Sequence, residues 1–290
     1  MPISAALSGH VKDLGGGFMI RRLLPSIERN AVGPFVFMDH FGPVTQQPGE
    51  SFDVRAHPHI GLATVTYLFE GAIVHRDSLG SIQRIEPGAI NWMTAGRGIV
   101  HSERTPDDLR GVSRSMHGLQ LWVGLPTALE EAEPAFIHTP GDRIPSMDVG
   151  GITVRVLVGE AFGVTSPVPT LSPTLYLDVH APRGGSLTFP ASPFERAIYS
   201  PASAVTIDGT CVAPRNLAVL DGRRDATITV GSEGGRYVVL GGEPLDGHRH
   251  IWWNFVSSSR ERLETAKRDW REQKFTAVPG ETEFIPLPER

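Results

Sequence analysis

At 290 residues, 40% hydrophobic and 20% charged, the chain can form one large domain or two ordinary ones, and it is neither disordered nor a coiled coil. The formal net charge of -5 comes without a basic stripe, which excludes the electrostatic footprint of a nucleic-acid binder. Cys211 is the lone cysteine, so there is no internal disulfide framework, as suits a reducing cytoplasm.

The N-terminal MPISAALSGHVKDLGGG has neither the basic lead nor the apolar stretch of a signal peptide. No apolar run reaches membrane-spanning length, so the expected setting is soluble and cytoplasmic, with no membrane partner. Gly and Pro, 32 and 24 of them, are spread along the chain as punctuation, a pattern of many short strands joined by turns. After a loose start, Phe18 to Leu24 and Gly33 to Phe41 read as strands, with Asp39 and His40 as turn-forming or rim residues before the FGP turn. Thr64 to Glu70 is β-branched and aromatic and reads as a strand, ended by Gly71 and answered by Ala72 to Asp77 as a hairpin partner. Ser81 to Ile85 and Ala89 to Met93 continue the run at a spacing of roughly 8–12 residues, the mark of a sandwich or barrel. Gly118 to Leu125 reads as a central strand, followed by a short helical turn through Pro126 to Glu131.

Thr139 to Gly151 lacks periodic pattern and marks a boundary. Strand-like segments then resume from Ile152 to Gly159 and recur through Tyr237 to Leu240 at similar spacing, as a duplicated barrel would give. Ser257 to Lys274 is the one long helix expected, capped by Ser259, with Leu263 and Trp270 on its inner face and Arg262, Ala266, Asp269 and Gln273 at outward or mixed positions. The Pro-rich tail from Phe275 is expected to wrap the surface or to be mobile.

Two pairs of metal-ligating residues stand out at i and i+2: His57 with His59, and His101 with Glu103. Residues two apart on a strand share a face, so two such strand ends side by side would converge three imidazoles and one carboxylate. Three nitrogens and an oxygen suit Fe(II), Mn, Ni, Cu or Zn, with room for water or substrate. Glu103 is also the candidate catalytic base, because a carboxylate bound through one oxygen can take a proton on the other. His248 and His250 form another His-x-His, but without a partner pair nearby they read as a surface or lid loop. His75 and His117 read as hydrogen-bond partners inside the first barrel, and Glu70 as structural. Trp252 and Trp253 could wall a flat substrate or anchor the C-terminal helix, and Arg97 could hold an anion or brace its turn.

The block HPHIGLATVTYLFEG, followed by PGAINWMTAGRGIVHSE, resembles the pirin family of the cupin superfamily. VGPFVFMDHFGP, HGLQLWVGLP and VLGGEP extend the resemblance over most of the chain. In the common cupin arrangement a glutamate soon follows the two histidines; here Glu103 stands in for it, which is the pirin variant. The resemblance implies an all-β bicupin: a metal-bearing barrel over 1–145, a metal-free barrel over 146–256, and a helix and tail over 257–290. It further implies an iron-class metal, Fe(II) first, with Mn, Ni, Cu, Co or Zn as the alternatives. It implies quercetin 2,3-dioxygenase-type activity on a flavonol or catecholic substrate with O2, or else a non-enzymatic redox or metal-sensing regulator acting through a protein partner. Gly247 to Trp270 departs from the family pattern, and that segment can cover a pocket mouth.

Overall fold

A computed structural model of the chain describes residues 3–15 and 17–289. Two compact units are interleaved along the sequence. One comprises the described residues up to Lys12, with Arg21–His40 and Asp142–Pro244; the other comprises the described part of Asp13–Ile20, with Phe41–Gly141 and the described residues from Leu245 onward. These units cut across the expected ranges 1–145 and 146–256. Ile3–Leu7 pairs antiparallel with Leu217–Leu220, so the start of the chain completes a sheet edge of the later unit. Residues 245–256 belong with the earlier barrel because they cover a strand that carries histidines, as described below.

In the unit formed mainly by the later sequence, a seven-stranded sheet runs in the order Ile3–Leu7, Leu217–Leu220, Glu195–Tyr199, Gly235–Gly242, Thr174–Ala181, Ile152–Val158, Ser146–Val149. A four-stranded sheet, Ser186–Phe189, Ala226–Val230, Val205–Ile207, Thr210–Val212, accompanies it. Period-2 patterning builds the core. Ile152, Val154 and Val156 point inward while Thr153 is exposed, and Ala226, Ile228 and Val230 repeat the alternation on the other sheet. The interior is filled by aliphatic and aromatic side chains, including Leu177, Val179, Phe189 and Tyr237.

Asp39 and His40 do not mark a rim. The strand continues through the expected turn as Phe35–Gln46, and both residues are buried in it. Burial of these polar groups is matched by distant partners that no local pattern announces. Arg22 donates two hydrogen bonds to the Asp39 carboxylate at 2.7 and 2.9 Å, and the Tyr199 hydroxyl lies 2.6 Å from His40 Nδ1.

In the other unit, a four-stranded sheet has the order Val54–His59, Ile99–Arg104, Ile73–Asp77, Ile82–Ile85. Opposite it stand Ala135–Thr139, Ile90–Thr94, Leu62–Glu70 and Arg114–Gly124, hydrogen-bonded in that order. Leu62–Glu70 is a central strand, paired on both flanks to Ile90–Thr94 and to Arg114–Gly124, and it is buried along nearly its whole length.

The C-terminal helix spans Arg260–Arg271, and the Ser259 side chain caps it by accepting from the Arg262 amide. Leu263 and Trp270 face inward as their spacing indicates. Ala266 does as well, contrary to its expected outward or mixed placement, since it lies one turn from each on the same face. With Phe255 and Val278 these residues pack against Ala56, Ile60 and Val100. The tail is docked: the Ile285 amide donates to the Ala56 carbonyl, and Trp270 Nε1 donates to the Ile285 carbonyl.

Candidate metal centre

The two strands that carry the histidine pairs are direct neighbours. His101 lies opposite His57, and Ile99 opposite His59. Because His57 and His59 share a face and His101 is the cross-strand partner of His57, the three rings meet on one side of the sheet. The opposite faces of the same strands, at Ala56, Ile60 and Val100, take up the C-terminal segment.

Two glycines draw the strand ends together. The Gly61 amide donates to the Gly96 carbonyl at 2.8 Å, tying the turn after His59 to the turn before Ile99. Gly61 has φ +69°, and a β-carbon there would meet the Val256 carbonyl oxygen at 2.0 Å. Gly96 has φ +50°, and a β-carbon there would meet the Ala132 carbonyl oxygen at 1.9 Å.

One ring nitrogen from each of His57, His59 and His101 lies within 4.8 Å of the other two, and all three residues are buried. The Nε2 atoms of His59 and His101 are 3.1 Å apart. Two imidazole nitrogens each about 2.1 Å from one ion, at roughly a right angle, stand about 3 Å apart, so the donor set fits a metal. The remaining nitrogens are occupied. His57 Nδ1 donates to the Arg55 carbonyl at 2.8 Å, and His59 Nδ1 to the Asn254 carbonyl at 3.2 Å. Each bond places the proton on Nδ1 and leaves Nε2 with a free lone pair. His101 Nδ1 faces His75 Nδ1 at 3.4 Å, and His75 Nε2 lies 2.9 Å from the Asp77 carboxylate.

Electrostatics favour the neutral, ligating form of every ring. Burial pushes His57 down to about 4, opposed only in part by its bond to the Arg55 carbonyl. Burial first, then the neighbouring imidazoles, hold His59 and His101 well below the usual histidine range. Around them the walls are aromatic: Trp122 meets His59 edge-on at 5.2 Å, and Phe136 stacks on His75 at 4.1 Å.

Glu103 stands outside the tight group, and its carboxylate is not within 4.8 Å of all three imidazoles. Its strand carries an irregularity between His101 and Glu103, where the pairing skips from His57 to Val54, so strict alternation is interrupted at that step. On the other side the register is regular and sets Glu103 opposite His75, beside the cluster. Burial alone pushes the Glu103 carboxyl up to about 7.

The remaining candidates fall elsewhere. His248 and His250 approach each other at 4.6 Å between ring centres, and neither joins a three-residue ligand group among the described residues. Trp252 and Trp253 are anchors, packed with Phe255 and Trp270. Arg97 is exposed, pairs with Glu133, and offers its carbonyl to Arg262, so it braces the turn. His117 stacks edge-on against Phe69, and Glu70 accepts from Ser115. Sequence reasoning missed Asp77 and Asn254. Asp77 follows His75 at the same i, i+2 spacing that singled out the ligand pairs, which is a usable signal; a backbone carbonyl such as that of Asn254 leaves none.

Sequence profiles place this site in a family. The profile described as Pirin matches residues 17–123, and that of the Pirin C-terminal cupin domain matches residues 176–276. A Pirin-like protein of Caulobacter vibrioides is 46% identical over 282 residues, covering 96% of each chain. The chain belongs to the pirin family. Human Pirin is 34% identical over 268 residues, covering 90% of this chain and 89% of its own. The crystal structure of an Acinetobacter baumannii quercetin 2,3-dioxygenase superposes with a TM-score of 0.89 at 35% identity, covering 100% of this chain and 95% of that one. The all-β bicupin architecture is therefore that of the pirins, and the three-histidine cluster lies in the part matched by the first profile. No helix among the described residues is long and apolar enough to cross a membrane.

Proposed function

We propose that this pirin is a metal-dependent dioxygenase that cleaves a flavonol or catecholic substrate with O2. The observation that carries the proposal is the set of three neutral imidazoles, two of them with Nε2 freed by a hydrogen bond to a backbone carbonyl, gathered within 4.8 Å. The structural likeness to a quercetin 2,3-dioxygenase supports the substrate class. His57, His59 and His101 would hold the ion, with Glu103 as the fourth donor. Fe(II) is the first choice, and Mn, Ni, Cu, Co or Zn are compatible with nitrogen and carboxylate donors. When bound, such an ion lowers the pKa of a substrate hydroxyl and brings substrate and O2 together.

The protein's own groups supply the rest. Glu103, whose carboxyl is raised to about 7, takes the substrate hydroxyl proton near neutral pH, where a base is poised both to accept and to return it. Trp122 and Phe136 present flat apolar surfaces beside the histidines, suited to an aromatic substrate and to keeping water out. The same burial penalises the Glu103 anion, and a positive centre held by the three histidines would favour it.

The test is oxygen uptake by protein loaded anaerobically with Fe(II), using quercetin and a panel of catechols, with products identified. Uptake with ring-cleaved product supports the proposal. A full equivalent of bound metal with no uptake from any of these substrates would assign the site to a metal-sensing binding protein that acts through a partner.

A further inference from the structure

The third histidine differs from the other two in how its proton is placed. His57 and His59 each donate to a fixed backbone carbonyl, whereas His101 Nδ1 faces only another imidazole, that of His75, at 3.4 Å. His101 therefore has two places for its proton: on Nδ1 toward His75, or on Nε2 toward His59 Nε2 at 3.1 Å. A proton on Nε2 would block the lone pair that faces the cluster.

What decides between them lies one residue pair away. Asp77 is fully buried, and its Oδ1 accepts from the Leu79 and Ser81 amides at 2.9 and 3.0 Å. Its Oδ2 lies 2.9 Å from His75 Nε2. Burial would raise this carboxyl, but the bonds from His75 and the Ser81 amide outweigh burial and hold it below the usual range, so it is an acceptor only. In the neutral form of His75, the proton then sits on Nε2, and Nδ1 is left to accept. Stacking on Phe136 fixes the ring plane, and the bond from Nε2 to Asp77 selects the ring flip that turns Nδ1 to His101.

We propose that Asp77 and His75 form a positioning pair that keeps the His101 proton on Nδ1 and so leaves Nε2 bare for a metal ion. This rests on the metal-centre reading above and adds the device that prepares its third nitrogen. The order of the chain is fixed: carboxylate, His75, His101, ion.

Asp77→Asn is the incisive variant. Its Oδ1 can still accept the two turn amides, while its Nδ2 donates to His75 Nε2. His75 must then carry its proton on Nδ1 and donate to His101, whose own proton moves to Nε2. His75→Phe removes the acceptor while preserving the stack on Phe136, and it carries the test should Asp77→Asn fail to fold. Two readouts serve: histidine tautomers in the metal-free full-length protein by two-bond proton–nitrogen NMR, and Co(II) affinity by the visible spectrum. In the wild type, His101 should show its proton on Nδ1; in Asp77→Asn it should show it on Nε2, with Co(II) binding weakened about 10- to 100-fold. His75→Phe should weaken Co(II) to a similar degree. If both variants lose thermal stability but keep the His101 tautomer and the Co(II) affinity, the pair is merely structural and the proposal is overturned. If the wild type shows the expected tautomer yet binds no Co(II), the metal-centre reading fails, and the role given to the pair falls with it.

Discussion

Replacing His59 or His101 by alanine removes one of the three clustered ring nitrogens. Each variant should bind less than the one equivalent of metal expected of the wild type, measured by elemental analysis, while the unit built from Asp142–Pro244 stays folded by circular dichroism. A full equivalent on His101→Ala would show that the ligand assignment is wrong. Glu103→Gln keeps the size of the side chain but cannot take a proton. In protein shown by elemental analysis to keep its metal, the substitution should lower turnover about 10²- to 10⁴-fold with substrate affinity much less affected, the mark of a general base; loss of the metal instead would assign Glu103 to ligation alone. Acid should also tell. His57 is neutral in the fold, with its pKa lowered from 6.5 to about 4, so between those values the unfolded chain binds the extra proton. The stability this ring contributes is thus fully present above pH 6.5 and is lost as pH falls toward 4, by roughly 3 kcal/mol in the metal-free protein. Denaturant titrations across that window should show the loss, and His57→Gln should reduce it, the remainder coming from His59 and His101.

Among the elements, the C-terminal segment is the one that reaches the site from farthest away in sequence. It covers Ala56, Ile60 and Val100 on the back of the histidine strands, and Asn254 supplies the carbonyl that orients His59. Trp270→Ala should cost about 3–5 kcal/mol by opening a cavity under the helix, and it should weaken metal binding although no ligand is touched. Ser259→Ala removes the helix cap and should cost about 1 kcal/mol with metal binding unchanged. Gly61→Ala tests the other side of this contact. A methyl group meets the Val256 carbonyl at 2.0 Å in a left-handed backbone, so the hairpin His250–Ser257 must lift away and take Asn254 with it. Its metal stoichiometry should fall below the wild-type value.

For the molecule as a whole, what could be read from the sequence depended on whether the signal was local. His57, His59 and His101 announced themselves because strand periodicity is local, and most strand positions followed from β-branched runs between glycines and prolines. Asp39 and His40 misled because what keeps them buried, Arg22 and Tyr199, is supplied from elsewhere in the chain. Asn254 was invisible, since its contribution is a backbone oxygen 195 residues from His59. The interleaving of the two units escaped for the same reason: the pairing of Ile3–Leu7 with Leu217–Leu220 leaves no mark on either segment alone. Family resemblance bridged these gaps for the fold.

A metal held by three histidines and turnover of an aromatic substrate are proposed together for this pirin. The measurement that tests this most directly is oxygen consumption with quercetin by protein carrying one equivalent of Fe(II), run beside His101→Ala treated in the same way. The wild type should show quercetin-dependent uptake and the variant none above background. Equal uptake by both, or none by the metal-loaded wild type, would contradict the proposal.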